Sequence, residues 1–146
     1  CFSKGLGAPV GSAVVGSKDF VKRVRRNRKL FGGGMRQAGI IAAGALYALK
    51  HNIDRLEIDH AHAKQLAEAA NATSAFAGSR EPETNIVLVK VDPGFGTPAE
   101  LVEKLAEHGV GAFPFGAQEV RLVTHMDVTA VQIERACEAL LAIGNG

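Results

Sequence analysis

Apolar residues recur every third or fourth position over long stretches of this chain and gather into short runs elsewhere, a contrast that separates helices from strands. The first run, Ala13 to Val15, lies between Gly11 and Gly16 and predicts a buried strand over Ser12 to Gly16. Ser17 then suits a helix cap, with Asp19 in the first turn. That helix, to about Arg28, groups Phe20, Val21 and Val24 on one side and Lys18, Lys22, Arg25 and Lys29 along another. Gly32-Gly33-Gly34 breaks the chain. Beyond it Ala42, Ala45, Leu49, Ile53, Leu56, Ala63, Ala67 and Ala70 predict one long amphipathic helix or two nearly collinear ones, with Asn52 to Asp54 as the natural break.

The remainder alternates faster. Ala72 to Glu83 is small and polar and reads as a loop, Thr84 to Val91 as a strand, and Asp92-Pro93-Gly94 as a turn. Thr97, Pro98 and Glu100 spell a capping box with proline at the first helical position. The helix they start runs to about His108, where Gly109 ends it. Val110 to Phe115 and Glu119 to Thr124 read as extended. Asp127 or Thr129 caps a last helix, whose buried stripe is Ile133, Ala136, Cys137, Leu140 and Leu141 and whose end is Gly144. Strand, helix, two extended segments and helix, from Thr84 to Gly144, read as a small α+β layer.

Composition is that of a compact globular protein, 47% apolar and 22% charged. No apolar run approaches the roughly 20 residues needed to span a bilayer, and the first residues lack the basic segment and long apolar core of a signal peptide. Two cysteines, Cys1 and Cys137, are too few for a disulfide framework and suit a reduced, cytoplasmic setting. The net charge of +2 hides an asymmetry: residues 18–29 hold seven of the 17 basic residues and one acid. Clustered Lys and Arg can neutralise nucleic-acid phosphates. No aromatic residues interleave with these charges, however, and a solvated helix face or subunit contact ranks above a nucleic-acid partner.

Two residues carry candidate chemistry. Lys4 lies in a loop of small residues beside Gly5, Gly7 and Gly11; an amine so placed can attack a carbonyl to form a Schiff base. Arg121 lies on a predicted strand, pointing away from the face shared by Val120 and Leu122. It can hold a structural ion pair, face solvent, or grip a carboxylate with its planar fork. The histidines make no metal site: His60 and His62 point roughly 200° apart on a helix, and His51, His108 and His125 have no companion at ligand spacing. They read as surface or capping residues. The triple glycine matches neither a dinucleotide loop nor a P-loop.

Four pieces agree in order and spacing with one family: Ser3-Lys4-Gly5-Leu6-Gly7-Ala8-Pro9-Val10-Gly11-Ser12; Arg28-Lys29 followed by Gly32-Gly33-Gly34-Met35-Arg36-Gln37; Tyr47-Ala48-Leu49; and Val120-Arg121-Leu122-Val123-Thr124-His125. The chain resembles the low-specificity L-threonine aldolases, pyridoxal-phosphate (PLP) enzymes of the β-eliminating lyase group. The resemblance implies an α/β protein of PLP fold type I. In that reading, residues 1–50 end the large cofactor domain and include the linking helix, and residues 51–146 are the small C-terminal domain. The upstream half of the enzyme precedes Cys1.

The same resemblance implies site residues. Lys4 would carry PLP, Lys29 and Arg36 would surround its phosphate, and Arg121 would bind the substrate carboxylate. It implies retro-aldol cleavage of threonine-type β-hydroxy-α-amino acids to glycine and an aldehyde, in a homotetramer. The ring-stacking residue and the acid facing the pyridine nitrogen fall upstream of Cys1, so the stretch is expected to be inactive alone. Two alternatives stand beside it: β-elimination on the same fold, and a noncatalytic oligomerisation or nucleic-acid-binding module built on the basic helix 18–29.

Overall fold

Helices α1 (Lys18–Leu30) and α2 (Gly39–His51) belong to one compact unit, Cys1–Asp54, in the computed structural model, which describes residues 1–146. Everything after it, Arg55–Gly146, forms a second unit. In the first, Ser17 caps α1 by accepting the Phe20 N–H at 3.3 Å, and Gly32, at φ +86°, follows its C-terminal turn. The strand expected over Ser12 to Gly16 does not form, and Val14 and Val15 are exposed. A strand needs a hydrogen-bonding neighbour, and this unit contains only helices and loops. Residues 2–11 close on themselves instead: the Phe2 N–H donates to the Gly11 carbonyl and the Ala8 N–H to the Phe2 carbonyl, both at 2.9 Å.

The long helical pattern resolves into two helices, α2 and α3 (Leu56–Asn71), interrupted over residues 52–55. The break falls where the sequence places it. Helix α2 is apolar on almost every side, yet only Ala45 and Ala48 are buried within this chain, while Ile40, Leu46 and Tyr47 are exposed.

The second unit is built on a four-stranded antiparallel sheet of β1 (Phe76–Ser79), β2 (Ile86–Val91), β3 (Phe113–Phe115) and β4 (Glu119–Val123), in the order β1-β2-β4-β3. Alternation assigns its faces. Val87, Val89 and Val91 of β2 and Val120 and Leu122 of β4 point inward and are buried. There they meet Leu66 of α3, Leu101 and Leu105 of α4 (Pro98–Glu107), and Ile133 and Leu140 of α5 (Ala130–Asn145) in one core. Each large side chain so buried contributes about 1.5–3 kcal/mol. The capping box expected at Thr97 forms with Glu100, and of the two caps offered for the last helix Thr129 is the one used, in a second box with Gln132.

Two expectations for this unit change. The stretch read as a loop over Ala72 to Glu83 contains β1, an edge strand whose register shifts between Phe76 and Ser79 around Gly78 at φ +97°. Its small residues conceal it, since Phe76 is its only large apolar side chain and a bulge interrupts its alternation. His62, expected at the surface, is 7% exposed on the inward side of α3, with no hydrogen-bond partner for Nδ1. The helical stripe that buries Ala63 and Leu66 carries His62 with it.

Candidate active site

The glycine-rich loop that holds Lys4 is a closed turn. The Lys4 carbonyl accepts the Gly7 N–H at 2.8 Å, and Gly7 takes φ +68°, a conformation open to glycine. The side-chain amide of Asn52, just past α2, donates to the Leu6 carbonyl at 2.7 Å and pins the turn from outside. Lys4 itself is exposed and enters no ion pair. Its amine is thus presented from a braced backbone. Asn52, read from the sequence only as a helix breaker, is a supporting residue that local reasoning missed; an asparagine at a helix end was its one visible signal.

The triple glycine folds back over the end of α1. A Cβ on Gly33 would lie 2.5 Å from Arg28 Cγ and 2.9 Å from the Arg28 carbonyl oxygen; one on Gly34 would lie 3.0 Å from Lys29 Nζ. Without side chains, these glycines leave room for Arg28 and Lys29 to lie against the turn. Arg36 follows two residues later, exposed and without an acidic partner. The corner presents an ammonium and a guanidinium without a neutralising carboxylate, a donor set suited to a phosphate. The structure thus brings Lys29 against the glycine turn, with Arg36 close behind in sequence. No hydrogen bond or ion pair joins Lys4 to either.

Arg121 lies in the second unit, on the sheet face opposite the core. Its cross-strand neighbours are Leu88 of β2 and Phe113 of β3, and its guanidinium carbon lies 5.8 Å from the centre of the Phe115 ring. Ile86, Phe113, Phe115 and Val123 on this face all remain substantially exposed. Arg121 makes no ion pair, and its Nε is buried with no hydrogen-bond partner. Of the three roles open to a strand arginine, the structural ion pair is therefore eliminated. Facing solvent and gripping a carboxylate remain, and the buried Nε of this half-buried fork calls for an acceptor.

The strand carrying Arg121 is anchored immediately behind it. Thr124 is buried and donates its hydroxyl to the Asp59 carbonyl in the first turn of α3, at 2.6 Å. The Asp59 carboxylate, fully buried, takes both arms of Arg55 at 2.6 and 2.9 Å. Neither contact is visible in local sequence, because Thr124 and Asp59 are 65 positions apart.

The first unit thus presents an exposed amine at Lys4 and, beside a glycine turn, the ammonium of Lys29; the second presents a half-buried guanidinium whose Nε has no acceptor. Comparison with known proteins identifies the family. Over residues 1–93 the chain matches the family model described as beta-eliminating lyase. It is 46% identical over 135 residues to the low specificity L-threonine aldolase of Escherichia coli (strain K12), covering 91% of this chain and 38% of that protein. The chain therefore spans little more than a third of the length of the curated relatives it matches. Among solved structures it superposes on a candidate L-allo-threonine aldolase from Listeria monocytogenes EGD-E with a TM-score of 0.73 at 22% identity, covering 97% of this chain and 43% of that one. An ornithine aminotransferase from Toxoplasma gondii ME49 gives 0.58 at 19% identity, with 72% and 26% covered. These likenesses place the chain in the expected PLP fold type I. With the Lys4 turn and the glycine corner both inside the matched residues, the chain belongs to the beta-eliminating lyase family.

Proposed function

We propose that this chain supplies part of the active site of a PLP-dependent aldolase, which cleaves L-threonine and L-allo-threonine to glycine and an aldehyde. The observation that carries the proposal is the buried, unpartnered Nε of Arg121, in a chain 46% identical to a low specificity L-threonine aldolase. In this reading Lys4 offers its amine to the cofactor, and Lys29 and Arg36 neutralise the cofactor's phosphate. Arg121 takes the substrate carboxylate in a bidentate grip. Held there, the substrate has fewer orientations to lose before its Cα–Cβ bond aligns for cleavage. Bound PLP supplies the sink for the electron pair released when that bond breaks.

A cytoplasmic homotetramer belongs to the same proposal. Helix α2 supports association: a helix apolar on nearly all sides is normally buried, and Ile40 is 91% and Tyr47 63% exposed here. Free thiols at Cys1 and Cys137 suit a reducing compartment. No helix is long and apolar enough to cross a membrane.

The test uses the protein carrying this chain at the full length of its relatives, loaded with PLP. Threonine should yield glycine and acetaldehyde in equal amounts, and borohydride reduction should leave a pyridoxyl group on Lys4. Release of ammonia and a 2-oxo acid without glycine would replace the aldolase with an elimination enzyme. A pyridoxyl group on another lysine would remove Lys4 from its role.

A further inference from the structure

The second unit also holds a cavity of about 430 Å³, bounded by the turn after α4, the end of β4 and the first turns of α5. Its size lies within the range of about 300–1,000 Å³ typical of small-molecule sites. Arg121 is not among its lining residues, and the side chain of Arg121 leaves the sheet from the opposite face.

Leu66, Leu122, Ile133 and Ala136 form apolar walls, all buried. The polar lining is uneven. It includes Arg135, His125, Gln132 and His108, and no aspartate or glutamate. Arg135 takes part in none of the chain's ion pairs. The Gln132 oxygen is already used, accepting from the Thr129 N–H at 2.8 Å and the Thr129 hydroxyl at 3.0 Å. That fixes the orientation of the amide and leaves its NH₂ group free to donate.

His125 is not fixed in the same way: its Nδ1 lies 3.4 Å from both the Asp127 N–H and an Asp127 carboxylate oxygen, which call for opposite tautomers. His108 is fixed as an acceptor toward the cavity: Nδ1 lies 3.0 Å from the Lys104 carbonyl, which can only accept, and Nε2 is left to accept. Two donor groups, the Arg135 guanidinium and the Gln132 amide, therefore line the cavity beside apolar walls, and the first is a permanently charged planar fork. A fork of this kind matches the two oxygens of a carboxylate, and the walls suit a short branched hydrocarbon.

From this arrangement we infer that the cavity binds a small aliphatic monocarboxylate, held by Arg135 and Gln132 with its hydrocarbon end against Leu66 and Ile133. The test is calorimetric titration of the full-length, PLP-loaded protein with 4-methylpentanoate and with its neutral amide. The acid should bind at least tenfold more tightly than the amide. Arg135→Gln should abolish that preference, and so should Gln132→Glu, which keeps the capping box but adds a repelling carboxylate. Arg121→Met should leave it intact. Equal binding of acid and amide, no binding of either, or a preference that survives Arg135→Gln would overturn the inference. Loss of the acid's preference in Arg121→Met would place the carboxylate at Arg121 instead and also overturn it.

Discussion

Thr124 and Asp59, 65 positions apart, are joined by a 2.6 Å hydrogen bond from the Thr124 hydroxyl to the Asp59 main-chain carbonyl, and both residues are buried. The bond ties the start of α3 to the chain just beyond β4, three residues after Arg121. Replacing Thr124 with valine keeps the volume and removes the donor. The expected cost is about 1 kcal/mol, the net value of one buried hydrogen bond. It should read as a lower urea midpoint with an unchanged slope, while Thr124→Ser should recover most of the loss.

Arg121 makes a different kind of prediction. It already lacks a protein partner, so Arg121→Met should leave stability close to wild type. Losing the proposed charge-assisted carboxylate contact, of about 3 kcal/mol, should lower kcat/KM for threonine roughly 100-fold. Arg121→Lys should recover little, since a point charge does not reproduce the fork. Steady-state kinetics beside a denaturation curve checks both halves; an unstable variant with unaltered kinetics would make Arg121 a structural residue.

Gly34→Ala tests the phosphate corner. The new Cβ would stand 3.0 Å from Lys29 Nζ, the mobile tip of a long side chain. The tip can swing away, so folding should be nearly unaffected while the proposed grip on the cofactor phosphate loosens. PLP affinity, followed by absorbance, should fall about tenfold, equivalent to roughly 1.4 kcal/mol. Gly33→Ala is the contrast. There the Cβ would meet the rigid Arg28 carbonyl at 2.9 Å, and the turn itself should suffer.

The two capping boxes should separate by pH. The Glu100 carboxyl is held below its ordinary pKa, first by the Thr97 N–H, then by the Thr97 hydroxyl, with Lys104 nearby adding to the effect. Because the unfolded chain takes up this proton first on acidification, the box contributes stability above the ordinary carboxylate range. The contribution is lost as pH falls through the folded pKa. Glu100→Gln should therefore flatten the acid limb of the stability curve. The Thr129–Gln132 box has no such proton, and Thr129→Ala should cost about 1 kcal/mol at every pH across that limb.

The features legible in local sequence lie within about four residues of their cause. Ser17, Thr97 and Thr129 cap the helices they precede, Gly109 follows the end of α4 at φ +75°, and alternation puts Val87, Val89, Val120 and Leu122 on one face with Arg121 on the other. Capping, turn conformation and strand pleat are local, so local residues suffice to read them. Lys4, Lys29, Arg36 and Arg121 came from motif resemblance, and their roles are proposals that the geometry supports.

The other features are set by long-range packing, because each depends on a partner remote in sequence. Ala13 to Val15 has the composition of a strand but meets no neighbouring strand, and it stays a loop. Phe76–Ser79 has little of that composition, yet β2 pairs with it around a bulge at Gly78. His62 is buried by the packing of α3, Asn52 reaches back 46 positions to brace the Lys4 turn, and Arg121 is left without a protein acceptor. Hydrogen-bond completion is a property of the folded whole, and it adds a buried Nε without an acceptor to the carboxylate role that motif resemblance proposes for Arg121.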